Sequence, residues 1–382
     1  MLTPPSKFGV KGKNNMTELH YDIVGSFLRP ETIKAAKEKF AANEITQAEL
    51  TNIENQEIEK LVDQEIEAGL KVVTDGELRR RYWHLDTFWG FDGIEHTQAS
   101  IGYVFHDETT KPDSASVTGK IKFNENHPDL QAFKFLQKIA TEKKVSARQS
   151  IPAPAQLYEE LYRDPEHAEQ TQKVYPNDDE LIADIAQAYH DLILALYDAG
   201  CRDVKLDDCT WGLLVDTELC KKIGYDPQEL APKFLKVNNE AIKDLPDDLR
   251  VSTHICRGNF HSTWACQGGY AAVAPYVFAK ENVDAFYLEF DNERSGNFDP
   301  IAQIPNDKLV VLGLVTSKKA ELEDPQKLIA RIKEAAEFHP LNNLALSTQC
   351  GFASTEEGNT LTEDDQWQKI KLVVDTAKQV WS

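Results

Sequence analysis

The feature that most restricts how this chain can fold is an alternation. Short apolar stretches lie near residues 22, 72, 150, 204, 252, 286, 311 and 345, and segments of helical periodicity separate most of them. DDELIADIAQAYHDLILALYDAG repeats its apolar residues at helical spacing and closes at Gly200. DPQKLIARIKEAAEFH opens on an Asp cap, and TEDDQWQKIKLVVDTAKQVW reads as a closing helix. Strands that alternate with helices are joined by crossovers, so the sheet is parallel. Eight such units in 382 residues predict a closed (β/α)8 TIM barrel. An open doubly wound sheet would usually carry a glycine-rich phosphate turn after its first strand, and VGSFLRP has no GxGxxG. HYDIVGS (20–26) and KVVTDGE (71–77) read as the first two strands, and GGYAAVAPYVFAKENV (268–283) as a helix. Residues 97–148 read as a β-rich insertion after the second strand, and 20–382 as one barrel domain. Residues 1–19 read as a flexible leader, with Met16 a candidate start.

Composition narrows the partners. With 63 acidic against 42 basic residues the net charge is -21, which argues against nucleic acid and against an anionic membrane. No apolar run approaches the ~20 residues of a spanning helix, and no secretory signal is evident at the start. Six cysteines in a chain this long do not make a disulfide scaffold, so the expectation is a cytoplasmic protein with free or metal-bound thiols. Self-association into a homo-oligomer is left open.

The polar residues gather at the C-terminal ends of the expected strands, the face that carries the site in barrel enzymes. VSTHIC ends in His254-x-Cys256. Residues i and i+2 of a strand share a face, so an imidazole and a thiol project together, half of a tetrahedral zinc site. Cys350 and Glu289 end other strands and can complete it, whereas Cys201, Cys209, Cys220 and Cys266 read as packed thiols. Ligands drawn from three distant strands suit a reactive metal at a cavity floor better than a structural site built on tight CxxC pairs. Gly25-Ser26, Glu77, Asp207-Asp208 and Lys318 fall at strand ends too, and His84 lies in the aromatic stretch after Glu77.

VSTHIC, the Cys-Gly of STQCG, the opening IVGS and the TDGE segment together resemble the catalytic barrel of cobalamin-independent methionine synthase, and its short single-barrel relatives above all. The resemblance runs from about residue 20 to the end. It implies a Zn2+ held by His254, Cys256, Glu289 and Cys350, with Asp291 and Glu293 as alternates for the carboxylate. It implies an amino-acid clamp in which Val24-Gly25-Ser26 holds the carboxylate of homocysteine, and Glu77 and Asp207 its ammonium. The implied reaction is zinc-dependent S-methylation of that thiol, from a methylfolate or another donor. The chain departs from the family in lacking its second barrel and its proton-handling histidine. Lys318 stands near that histidine's place, Tyr158 replaces the pterin-stacking tryptophan, and His84 is a candidate wall of the donor pocket. Alkyl transfer to another thiol, and a zinc- and thiol-sensing barrel without turnover, are the alternatives.

Overall fold

The computed structural model describes residues 20–106 and 108–381. The leader expected over 1–19 lies outside the described residues. Six parallel strands, Gln149–Pro152, Asp203–Asp208, Arg250–Ile255, Ala285–Glu289, Leu309–Val315 and Leu344–Thr348, lie side by side in chain order. A doubly wound sheet would reverse its strand order part-way, whereas a sequential order is that of a barrel. At one edge Val72–Val73 pairs in parallel with Ser146–Ala147, and at the other Tyr21 bridges Leu346. Across the remaining seam the Phe27 N–H donates to the Gly76 carbonyl at 3.0 Å and Thr74 Oγ1 to the Gly25 carbonyl at 2.9 Å.

The first two strands are therefore shorter than their sequences suggest. Residues 20–26 contribute a single bridge, and 71–77 only Val72–Val73. The reason is local. Gly25 sits at φ 133°, Gly76 at 65° and Glu77 at 57°, and positive φ takes the chain out of an extended path.

Buried charge holds what the short ladders cannot. Arg148 Nη2 donates to Asp22 Oδ2 at 2.7 Å and to Asp203 Oδ2 at 3.0 Å, and the Tyr287 hydroxyl donates to Asp22. Lys205 Nζ donates to the Ile23 carbonyl at 3.1 Å. Burial alone would raise the Asp22 carboxyl, but Arg148 holds it below the ordinary carboxylate range.

The insertion is only partly β. Asp92–Gln98 and Asp113–Lys122 form an antiparallel pair, while Pro128–Lys143 is a helix that belongs to the β/α alternation. Leu130, Phe133, Leu136, Ile139 and Ala140 make its buried stripe, Pro128 occupies its first turn, and His127 Nδ1 accepts from the Asp129 N–H. The helix expected over 268–283 is also corrected. It is a 3-10 turn at Tyr270–Ala272 and a short helix at Val277–Lys280, with Pro275 between them to remove a backbone donor. No described helix is long and apolar enough to cross a membrane.

Replacing Arg148 by Met would leave Asp22 and Asp203 buried without their partner. The expected cost is about 3–5 kcal/mol of unfolding free energy, read from urea or thermal melts.

Candidate metal centre and substrate cavity

His254 and Cys256 leave the end of the Arg250–Ile255 strand. Glu289 ends the neighbouring strand, and Cys350 lies two residues past Leu344–Thr348. All four are buried, and their ligand atoms lie within 4.8 Å of one another. The Cys256 and Cys350 sulfurs are 3.6 Å apart. His254 Nδ1 donates to the Tyr287 carbonyl at 3.3 Å, which leaves Nε2 as a bare acceptor, buried and without a partner. That is the tautomer a metal-binding imidazole needs. Glu289 accepts from the Arg257 N–H at 3.1 Å and from Arg294 at 3.0 Å. Burial works against its charge, but Arg294, Lys318 and Arg257 outweigh it and hold the carboxyl below its ordinary range. The donor set of two thiols, one free imidazole nitrogen and one ionised carboxylate fits a tetrahedral soft divalent cation. The alternates Asp291 and Glu293 lie outside this cluster of ligand atoms, Glu293 being exposed in a 3-10 turn.

Close backbone contacts position the thiols. The short helix Thr210–Leu214 packs against the Cys256 carbonyl so tightly that a Cβ on Gly212 would stand 1.9 Å from that oxygen. A Cβ on Gly351 would stand 1.9 Å from Ser26 Oγ. The backbone contact makes Gly212 obligatory, whereas a side chain at Gly351 would first have to move Ser26.

A cavity of about 370 Å³ opens over the cluster. Val24, Ser26, Glu77, His84 and Asp207 line it together with His254, Cys256 and Cys350. Gly25 lies between two of these residues, against Thr74 and Ser150. Glu77 Oε2 and Asp207 Oδ1 are buried and accept no hydrogen bond, although Arg80 stands 3.5 Å from Glu77. Burial pushes Glu77 up to about 7, with the Asp207 charge adding and Arg80 opposing. Burial pushes Asp207 up to about 6, against the pull of Lys205 and Arg80. Two crowded carboxylates with spare lone pairs are a receptor for a cation. Asp208 turns away and accepts from Thr210 and Asn238. His84 Nε2 meets the Tyr103 hydroxyl at 3.2 Å, and burial pushes the ring down to about 4, so it is neutral at pH 7.

Two expected site residues stand elsewhere. Tyr158 donates to Asp178 and lies outside this cavity, with its ring near Tyr162 and Phe234. Lys318 spends its ammonium on the Gly258 carbonyl at 3.0 Å, Asn259 Oδ1 at 2.9 Å and the Thr263 carbonyl at 3.0 Å. It pins the loop after the His-x-Cys strand and does not line the cavity. Conversely, Cys209 and Cys266 line the cavity, where packed thiols were expected. Cys209 directly follows Asp208 at a strand end, a signal available in the sequence. Residues 100–105 of the insertion line the cavity as well.

Residues 21–112 and 171–379 match the family described as Cobalamin-independent synthase, Catalytic domain. The chain belongs to that family. YxjH of Bacillus subtilis (strain 168), an uncharacterized protein, is 46% identical over 374 residues, covering 97% of this chain and 96% of that one. The solved structure of a Listeria monocytogenes relative is 39% identical with a TM-score of 0.76, covering 95% of this chain and 98% of that one. A B12-independent methionine synthase from Shewanella sp. W3-18-1, solved with selenomethionine, is 17% identical with a TM-score of 0.70 and covers 95% and 97%. At that identity it speaks for the barrel fold alone.

The raised Glu77 carboxyl has a signed consequence for stability. Its folded pKa lies above its unfolded value, so its contribution is intact below about pH 4.5 and is lost as pH rises through about 7. Glu77→Gln should therefore melt higher than the parent at pH 8 and level with it near pH 4.5, as followed by calorimetry. Gly212→Ala should displace Cys256 and lower bound metal per chain by mass spectrometry, while circular dichroism keeps the barrel signal.

Proposed function

We propose that this chain is a zinc-dependent S-methyltransferase that methylates the thiol of homocysteine to give methionine, using a methylfolate or another donor. One observation carries the reading. A buried donor set of His254, Cys256, Glu289 and Cys350 adjoins the same cavity as an unsatisfied pair of carboxylates, Glu77 and Asp207. The family's description points the same way.

A zinc ion held by those four residues would supply the Lewis acidity that brings a substrate thiol to its thiolate near neutral pH. The protein's own groups do the rest. Glu77 and Asp207 receive the amino acid's ammonium, and the Val24-Gly25-Ser26 segment faces its carboxylate. Arg257 and Arg294 hydrogen-bond the Glu289 carboxylate, which would be the hard oxygen donor among softer ligands if a zinc ion were held there. The insertion contributes residues 100–105 to the cavity wall.

The test is metal content with zinc K-edge absorption, with and without homocysteine. The expected result is about one zinc per chain, with a sulfur gained and an oxygen lost on adding homocysteine. Cys256→Ser and Cys350→Ser should each lower zinc content at least tenfold under mild chelation. A shell indifferent to homocysteine overturns the choice of acceptor, and protein that takes up no stoichiometric zinc overturns the reading.

A further inference from the structure

The buried polar atoms of the cavity that lack a hydrogen-bond partner are nearly all acceptors. Among the described lining residues they are Glu77 Oε2, His84 Nδ1, Gln156 Oε1, Asp207 Oδ1 and the metal-facing His254 Nε2, with the Thr355 hydroxyl the one exception. The assignment at His84 follows from its neighbours. The Tyr103 hydroxyl donates to Glu160 and so accepts from His84 Nε2–H, which leaves Nδ1 as a lone pair.

The two guanidinium groups in the lining are already committed. Arg163 donates to Glu160 and, at 3.1 Å, to the Ile101 carbonyl. Arg257 donates to the Gly268 carbonyl at 2.7 Å and to the Tyr270 hydroxyl at 2.8 Å. An anionic donor such as a polyglutamylated folate meets no free cation in this lining.

If Glu77 and Asp207 take the acceptor's ammonium, the groups left for the donor are His84 Nδ1, Gln156 Oε1 and Glu159, beside Trp83 and Phe105. Trp83 and Phe105 are only partly buried, so ring surface remains for a ligand. Tyr103 contributes less, because Arg163 lies 4.1 Å from its ring centroid. Glu159 is buried and held by Tyr225 at 3.0 Å and by Gln156 at 3.3 Å. Aromatic surface, a carboxylate and unpaired acceptors together select a soft, weakly hydrated cation.

We propose that the methyl donor is an onium compound, a methylsulfonium or a methylated quaternary ammonium, bound in the cavity that Trp83, Phe105 and Glu159 help to line. This rests on the thiol-methylation reading above and narrows its donor. In the step, the acceptor's thiolate sulfur forms a bond to the methyl carbon as the bond from that carbon to the onium sulfur or nitrogen breaks. The electron pair of the broken bond stays on the leaving atom, which departs as a neutral thioether or tertiary amine. No proton, oxidant or reductant is needed, so the step does not call on the general acid that an unactivated methylamine would require. One negative and one positive charge cancel as it proceeds, which a water-poor cavity favours.

The experiment incubates the full zinc-loaded chain and homocysteine with one methyl-labelled probe at a time and reads labelled methionine by NMR. The probes are S-methylmethionine, trimethylsulfonium, and 5-methyltetrahydrofolate with one or with three glutamates. Transfer from an onium probe at least about a hundredfold faster than from either folate is expected. Tetramethylammonium should also bind by saturation-transfer NMR, whereas tert-butanol, its uncharged counterpart in shape, should not. Glu159→Gln should raise the onium probe's KM about tenfold and leave homocysteine's KM unmoved; a merely structural role would move both. Transfer from a folate with none from an onium probe overturns the proposal and leaves thiol methylation standing. Failure of tetramethylammonium to bind, or transfer from no probe, also overturns it; whether homocysteine binds at the metal is read separately by the absorption edge.

Discussion

The Arg148 ion network is the interaction on which the rest of the barrel depends. The segments around Tyr21 and Val72 contribute almost no ladder hydrogen bonds, so the ring could gape at that seam. Arg148 joins Asp22 from the first segment to Asp203 on the fourth strand, and Tyr287 on the sixth reaches the same Asp22. Fully buried charges of this kind cost desolvation and hold only when every partner is present. Here they replace missing backbone pairing, and they set Val24-Gly25-Ser26 at the rim, where Ser26 packs against Gly351 beside Cys350.

Above that floor the site is a layered arrangement of charge. The thiols, the imidazole and Glu289 form one layer, and Arg257, Arg294 and Lys318 stand behind it. Lys318 does not line the cavity. It clamps the loop after Cys256, including Asn259, and Asn259 Nδ2 donates to the Gly351 carbonyl at 2.7 Å. The two loops that carry the thiol ligands are thereby tied to each other. A flexible lysine at a strand end was a fair candidate for chemistry, but three fixed acceptors make it a support.

The acidic excess of the chain also takes on local meaning in this frame. Glu77, Glu159 and Asp207 are buried in one cavity, and burial raises the carboxyl of each. Such groups are costly without a ligand and gain most from a cationic one.

The sequence by itself determined the alternation of strand and helix, hence the parallel barrel, because hydrophobic period is a local property written residue by residue. It also placed His254-x-Cys256, since two side chains on one strand share a face whatever surrounds them. It misjudged the extent of the first two strands, where positive φ at Gly25, Gly76 and Glu77 ends the extended path. It took the whole helix Pro128–Lys143 for insertion, because an antiparallel hairpin precedes that helix in a region of polar sequence. Only the tertiary structure decided which distant residues meet. Cys350 reaches Cys256 across 94 positions of sequence, Cys209 and Cys266 turn toward the cavity, Tyr158 lies outside it, and residues 100–105 line it. Those outcomes depend on the closure of a ring and on side-chain direction at its rim, and neither is encoded in any local window of the chain.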